Sequence, residues 1–188
     1  MKNRLWLWIG IPIAIILLAV LWYVGTYNSL IRMNEGVNGK WAQVETQYQR
    51  RVDLIPNLVA TVKGAANFEQ STLTDITKLR SQWQAAPNVN AKVDTANQIE
   101  STLSKLLVIA ENYPQLTATQ NYRDLQNELA NTENKVAVER GRYNDAVRDF
   151  NARIKTFPSN IVARKFGYTD RTYFNAKSGS ENAPEVKF

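Results

Sequence analysis

The 188-residue sequence contains no histidine and no cysteine. Without histidine it lacks the commonest general base, the commonest metal ligand and the one side chain that titrates unperturbed between pH 5 and 8. Without cysteine there is no disulfide framework and no thiolate nucleophile, and redox usage says nothing about the compartment. Zinc hydrolases and enzymes built on a histidine-activated nucleophile are therefore excluded. Glycine-rich phosphate loops, zinc-ligand spacings and nucleophile elbows are absent from the sequence, as is strand-like alternation of useful length. These absences predict an all-α chain that is not an enzyme, with no cofactor, no metal site and no small-molecule substrate.

What is present begins with Leu5 to Val24, LWLWIGIPIAIILLAVLWYV, twenty residues with no charge, amide or hydroxyl except the Tyr23 phenol. At about 1.5 Å per residue, a helix of that length covers roughly 30 Å, the thickness of a bilayer's hydrocarbon core. Trp6 and Trp8 stand near one end, and Trp22, Tyr23 and Tyr27 near the other, as membrane–water interfaces favour. Residues 1–26 are thus expected to be a transmembrane anchor. The alternative, a core helix of a soluble domain, fails because roughly 160 remaining residues cannot enclose it on all sides. A secretory signal usually has about 7–15 apolar residues and a small-x-small cleavage site. The run here is longer and ends in bulky residues, so an uncleaved, single-pass anchor is expected. Pro12 lies near one end, where a membrane helix tolerates it. Lys2 and Arg4 on one flank, against Arg32 on the other, lean towards a cytoplasmic N-terminus.

Beyond the anchor, apolar residues recur at helical spacing. The first stripe is Met33, Val37, Trp41, Val44, Tyr48, Val52, Ile55, Val59 and Val62. Gly36 and Gly39 weaken its start, each by roughly 1 kcal/mol relative to alanine. Pro56 removes a hydrogen bond, but the stripe keeps its phase across it, which predicts a bend there. Gly64, with Asn67 as the next cap, is the competing place for the break. Leu73, Ile76, Leu79, Trp83 and Ala86 form a second stripe, ended at Pro87. Val93, Ala96, Ile99, Leu103, Leu106 and Ala110 form a third, ended at Tyr113-Pro114. The fourth runs through Tyr122, Leu125, Leu129, Thr132, Val136, Glu139, Tyr143, Ala146 and Phe150, a coiled-coil-like heptad seam with one acidic lapse. Short turns between four amphipathic helices predict an up-and-down four-helix bundle over residues 27–157.

In such a bundle the fourth helix returns towards the bilayer. The segment 158–188 therefore begins near it, as an aromatic and basic stretch, and ends in a polar tail expected to be disordered. From Arg140 to Phe188 there are ten basic and five acidic residues, which accounts for five of the net +6 charges. Two readings fit this stretch. In one, Phe157, Arg164, Lys165, Phe166 and Arg171 form a membrane-interface patch. In the other, Phe157, Ile161 and Phe166 plug the end of the bundle as a lid. A second unusual cluster is Arg50, Arg51 and Asp53 beside Pro56 and Asn57. It reads either as a docking site for a carboxylate or phosphate, or as salt bridges that fix the bend, with Asn57 satisfying a freed carbonyl. Asp145 and Asp149, one turn apart, are balanced by Arg142 and Arg148 and read as a solvated helix face.

The anchor followed by Tyr27-Asn28-Ser29-Leu30, then Trp41-Ala42-Gln43-Val44, Gln49-Arg50-Arg51-Val52-Asp53-Leu54-Ile55-Pro56-Asn57-Leu58-Val59, Thr61-Val62-Lys63-Gly64 and Phe157-Pro158-Ser159-Asn160 through Phe166-Gly167 resemble the LemA family over nearly the whole chain. Departures are Gly36 and Gly39, and Ala65-Ala66-Asn67, where relatives often carry a histidine. The resemblance implies a membrane-anchored helical bundle of bacteria with its short N-terminus outside, opposite to the charge reading. It also implies an accessory role at the bilayer, since relatives are associated with magnetosome membranes or encoded beside membrane proteases. The function expected is a non-enzymatic scaffold or adaptor at the cell membrane. Its expected partners are the bilayer, a membrane or envelope protein such as a membrane protease, and a second copy of the chain. The pI near 9.5 raises nucleic-acid binding as an alternative, but basic and acidic residues alternate on the fourth helix and no nucleic-acid partner is expected. An enzyme using carboxylates alone is the other alternative, and no spacing implies facing carboxylates.

Overall fold

A computed structural model describes residues 2–63 and 70–174, with side chains from Gly10 onward. The described residues are helical, with no strand. Helix α1 runs Lys2–Asp53 and α2 Ile55–Lys63; α3 is Gln70–Ala85, α4 Val89–Ala110, α5 Pro114–Thr117, α6 Gln120–Lys155 and α7 Ser159–Lys165. The second, third and fourth expected stripes lie on α3, α4 and α6, except that Ala86 falls just past α3 and that Val147, not Ala146, is buried on α6; the spacing gives no sign of the short α5 and α7. The chain forms two compact units, one from Met1–Trp41 with Arg142–Tyr173 and one from Ala42–Gly141 with Phe174. Helices α1 and α6 contribute residues to both.

In the first unit, α1 passes through Pro12, Gly36 and Gly39 without interruption. Among the described residues this is the helix long and apolar enough to cross a membrane. Its large aliphatic side chains from Ile11 to Val24 are exposed, and burial begins at Thr26 and Leu30. Leu5, Trp6 and Trp8 fall outside the described side chains. Further on, Val37 and Trp41 are buried, and Trp41 meets Tyr143 of α6 edge-on at 5.5 Å. Met33 is only half-buried. A Cβ at Gly36 or Gly39 would meet nothing within 4 Å. Each is therefore a plain helix-propensity defect, and Gly36→Ala or Gly39→Ala is expected to raise stability by about 1 kcal/mol. Thermal unfolding of each variant checks this.

The second unit draws its core from α1, α2, α3, α4 and α6. Val44, Tyr48 and Val52 of α1 and Ile55, Leu58 and Val62 of α2 are buried, as are Leu73, Ile76, Leu79 and Trp83 of α3. Val93, Ala96, Ile99, Leu103 and Leu106 of α4 and Tyr122, Leu125, Leu129 and Val136 of α6 complete it. Helix α3 packs along α4 and α2 against α3. Asn88 accepts a hydrogen bond from the backbone N–H of Ala91 at 2.9 Å and so caps α4 rather than merely ending the preceding helix. Pro114 starts α5 at a position whose missing N–H would be unpaired anyway.

The helix is interrupted at Leu54, the one residue between α1 and α2, and not at Pro56. The Leu54 N–H reaches Arg51 O at 3.2 Å, and its carbonyl accepts from Leu58 N at 3.0 Å. Pro56 thus falls in the first turn of a helix that continues the same buried stripe. The stripe shifts by one residue there: Leu58 is buried and Val59 only half-buried. The competing break at Gly64, with its cap at Asn67, lies outside the described residues, as does the tail beyond Phe174.

Candidate functional site

Helix α7 owes its position to its ends. At its start Ser159 Oγ lies 2.6 Å from the Arg153 carbonyl and 2.8 Å from that of Thr156, and its one proton, shared between them, ties the helix back to α6. Pro158 before it follows a cis peptide bond. At its end Gly167 takes φ +70°, and its N–H reaches Arg164 O while that of Tyr168 reaches Ala163 O. This glycine-closed double hydrogen bond satisfies the last carbonyls and turns the chain away sharply. Val162 and Ala163 face inward.

The turn delivers Phe166 onto α1, with its ring 4.3 Å from that of Tyr27 and 6.3 Å from that of Tyr23. Lys165 Nζ stands 5.7 Å from the Tyr23 ring centroid. Of the expected patch, Phe157 and Arg164 are exposed without contact to these rings, while Lys165 and Phe166 join them at the last turns of the apolar stretch. Arg171 departs from the expectation. Its guanidinium donates to Asn34 Oδ1 at 2.6 Å and to Asn38 Oδ1 at 3.2 Å, and its backbone N–H donates to Asn151 Oδ1 at 2.8 Å. Buried Asn151 returns a hydrogen bond to Arg171 O at 2.9 Å. Arg171 is a strut within the first unit, not a cation facing outward. The lid also differs from expectation, since Phe157, Ile161 and Phe166 are exposed and Phe174 is the buried aromatic.

The cluster at the bend is likewise divided. Buried Arg51 pairs with Glu133 of α6, while its buried Nε has no acceptor among the described residues. Asp53 accepts from Gln49 at 2.8 Å. Arg50 and Asn57 are exposed, so Asn57 does not turn inward to a freed carbonyl. Among the described residues, Arg51 is the member of this cluster that salt-bridges to a neighbouring helix. Arg148 pairs with both Asp145 and Asp149, at 2.9 and 3.3 Å, as a solvated surface network does.

A polar cluster that the periodicity did not indicate sits in the second unit. Tyr48 OH donates to Glu100, and Arg140 donates to the same carboxylate at 3.0 Å. The Phe174 ring stacks on Tyr48 at 5.9 Å and receives the Arg140 guanidinium at 4.2 Å from its centroid. Trp83 also packs on Tyr48, with ring centroids 5.2 Å apart, and donates to Gln49 Oε1 at 3.3 Å, while Lys92 pairs with Glu45. Burial, together with the Glu100 charge and hydrogen bond, pushes the Tyr48 phenol well above its ordinary value. Burial also raises Tyr143, and burial with the nearby Glu111 charge raises Tyr122. A tyrosine that ionises less readily when folded contributes stability below the unfolded pKa of about 10 and loses it as pH rises further. Stability should thus fall above about pH 10, by up to about 1.4 kcal/mol per pH unit through Tyr48, with smaller losses through Tyr122 and Tyr143. Unfolding midpoints against pH check this, and Tyr48→Phe should make the fall shallower.

The fold is an all-helical chain whose first helix joins a long apolar stretch to a packed interior, with an aromatic and basic collar at the junction. The LemA family model matches residues 40–188, and the chain belongs to the LemA family. It is 28% identical over 155 residues to Protein LemA of Metamycoplasma hominis, covering 82% of this chain and 71% of that protein. It is 23% identical to Magnetosome protein MamQ 2 of Paramagnetospirillum magneticum, covering 82% of this chain and 66% of that protein. Magnetosome protein MamQ of Magnetospirillum gryphiswaldense is 21% identical, with 92% of this chain and 75% of that protein covered. The chain thus spans about two thirds to three quarters of its relatives' length.

Proposed function

We propose that this LemA-type chain is a non-enzymatic adaptor tethered to the bacterial cell membrane by one span. In this reading the helices after the span form an up-and-down four-helix bundle that holds a membrane or envelope protein, or a second copy of the chain. The observation that carries it is the continuity of α1. Its large aliphatic side chains from Ile11 to Val24 are exposed, whereas Val37, Trp41, Val44 and Tyr48 on the same helix are core residues. Such a bare run costs too much in water unless lipid covers it. The adaptor role draws support from side-chain chemistry: histidine and cysteine are absent, and Glu45, Glu100 and Glu133 are each engaged by a cation. For docking we assign the exposed side chains at the bend, Arg50 and Asn57. Crosslinking in intact membranes followed by mass spectrometry tests the reading. A reproducible partner or dimer crosslink, weakened by Arg50→Glu, is expected. Recovery of the uncrosslinked monomer alone would overturn the adaptor role.

A further inference from the structure

Around α7, three large apolar side chains are left uncovered by the described chain: Phe157 is 75% exposed, Ile161 56% and Phe166 44%. Scattered apolar residues on a surface need no explanation. These fall within one short stretch, residues 157–166, that also carries two exposed cations, Arg164 and Lys165. The i, i+4 spacing of Ile161 and Lys165 places them on one side of the helix, with Arg164 adjacent. Ser159, Val162 and Ala163 take the opposite, buried side. Arg164 and Lys165 make no ion pair among the described residues, whereas Lys155 pairs with Asp170 at 2.7 Å and Arg171 is held by Asn34 and Asn38. The segment therefore presents exposed apolar side chains beside positive charge that no described acidic residue pairs.

Its surroundings indicate what covers it. Phe166 packs on Tyr27 and Tyr23, and Lys165 lies over Tyr23, at the end of the apolar stretch where Trp22 and the two tyrosines form an interfacial belt. A helix in contact with that belt lies at headgroup depth whenever the stretch spans a bilayer. A protein partner with an apolar surface would leave Arg164 and Lys165 desolvated and unpaired, at high cost. Lipid phosphates would pair with both while the acyl boundary received the rings.

We propose that α7 is a second membrane contact that recognises anionic lipid. Phe157, Ile161 and Phe166 seat at the acyl boundary, and Arg164 and Lys165 pair with headgroup phosphates. This inference rests on the reading of α1 as the membrane span, so the test separates the two. Because the chain has no cysteine, one introduced thiol gives a unique label site. The full chain, labelled with an environment-sensitive fluorophore at Ile161→Cys or at Leu17→Cys, is reconstituted in vesicles of phosphatidylcholine with or without phosphatidylglycerol. Nitroxide lipids then report depth, with shallow quenchers for position 161 and deep ones for position 17.

Quenching at both positions is expected, with that at 161 stronger in anionic vesicles. Arg164→Glu with Lys165→Glu should lower the ratio of seated to unseated label at least about 25-fold at low salt, about fivefold for each cation lost. The circular dichroism of that variant should match the parent, since both side chains are exposed. Quenching at 17 but not at 161 would overturn the inference and leave the span intact. Quenching at neither position would overturn the span, and the inference with it. Quenching at 161 that ignores both lipid charge and the double substitution would overturn anionic recognition.

Discussion

Replacing Glu100 with alanine is expected to destabilise the Ala42–Gly141 unit by about 3 kcal/mol, measured by urea unfolding of the full chain in mild detergent. Glu100 accepts from both Tyr48 OH and Arg140, and both charged side chains are about four-fifths removed from solvent. Breaking a fully buried ion pair by deleting one partner costs roughly 3–5 kcal/mol, because the survivor stays buried and unpaired. Residual exposure puts this pair at the low end of that range. Among the described residues Arg140 then keeps the Phe174 ring, 4.2 Å from its guanidinium, a contact worth about 1 kcal/mol that supplies no acceptor for its donors.

The same asymmetry makes the double variant informative. Glu100→Leu with Arg140→Met removes both charges together and should recover much of the loss, since apolar replacements of a buried pair are often neutral. The coupling between the two single changes should come to about 1–3 kcal/mol. Strict additivity would mean that the pair does not act as a unit. Tyr48→Phe alone should cost about 1–2 kcal/mol, because it removes one hydrogen bond to a charged group and leaves the ring stacked.

Residues whose burial repeats along one helix were legible in advance, and residues whose partners lie on other helices were not. Trp83, Ile99, Leu129 and Phe150 follow from spacing, because a helix face turns towards its neighbours every 3.6 residues whatever those neighbours are. Glu100 meets a tyrosine 52 residues away and an arginine 40 residues away, and no local pattern fixes the rotations that bring them together. The interruption at Leu54 moved the stripe from Val59 to Leu58, a shift that the spacing alone does not determine. Arg171 looked like one more cation in an aromatic run, yet Asn34 and Asn38, more than 130 residues earlier, hold it. A local signal for α7 did exist: Gly167, followed by Tyr168, closes a helix in the glycine-capped manner. Which of the aromatics after Phe157 would be covered had no such signal, since a short helix and an extended segment offer little periodicity to read.

Arginine at both Ile15 and Leu18 should release the chain from the membrane, whereas either arginine alone should not. The stretch from Leu5 to Val24 holds twelve leucines, isoleucines and valines. At about 0.3–0.6 kcal/mol each, they favour insertion by about 5 kcal/mol in all. One arginine near the centre opposes this by about 3 kcal/mol and leaves the balance on the side of the bilayer; two reverse it. Both positions are exposed and lie one turn apart, so neither substitution disturbs a packed contact. After alkaline carbonate extraction, the parent chain and each single variant should sediment with membranes, and the double variant should stay in the supernatant. A double variant that still sediments under those conditions would mean that some other element inserts as deeply as α1. A parent chain recovered in the supernatant would remove the membrane from the proposed function altogether. Without carbonate, the double variant gives a separate view of α7. If Arg164 and Lys165 bind lipid phosphates, the released chain should still associate with anionic vesicles at low ionic strength and leave them as salt shortens the screening length below about 8 Å.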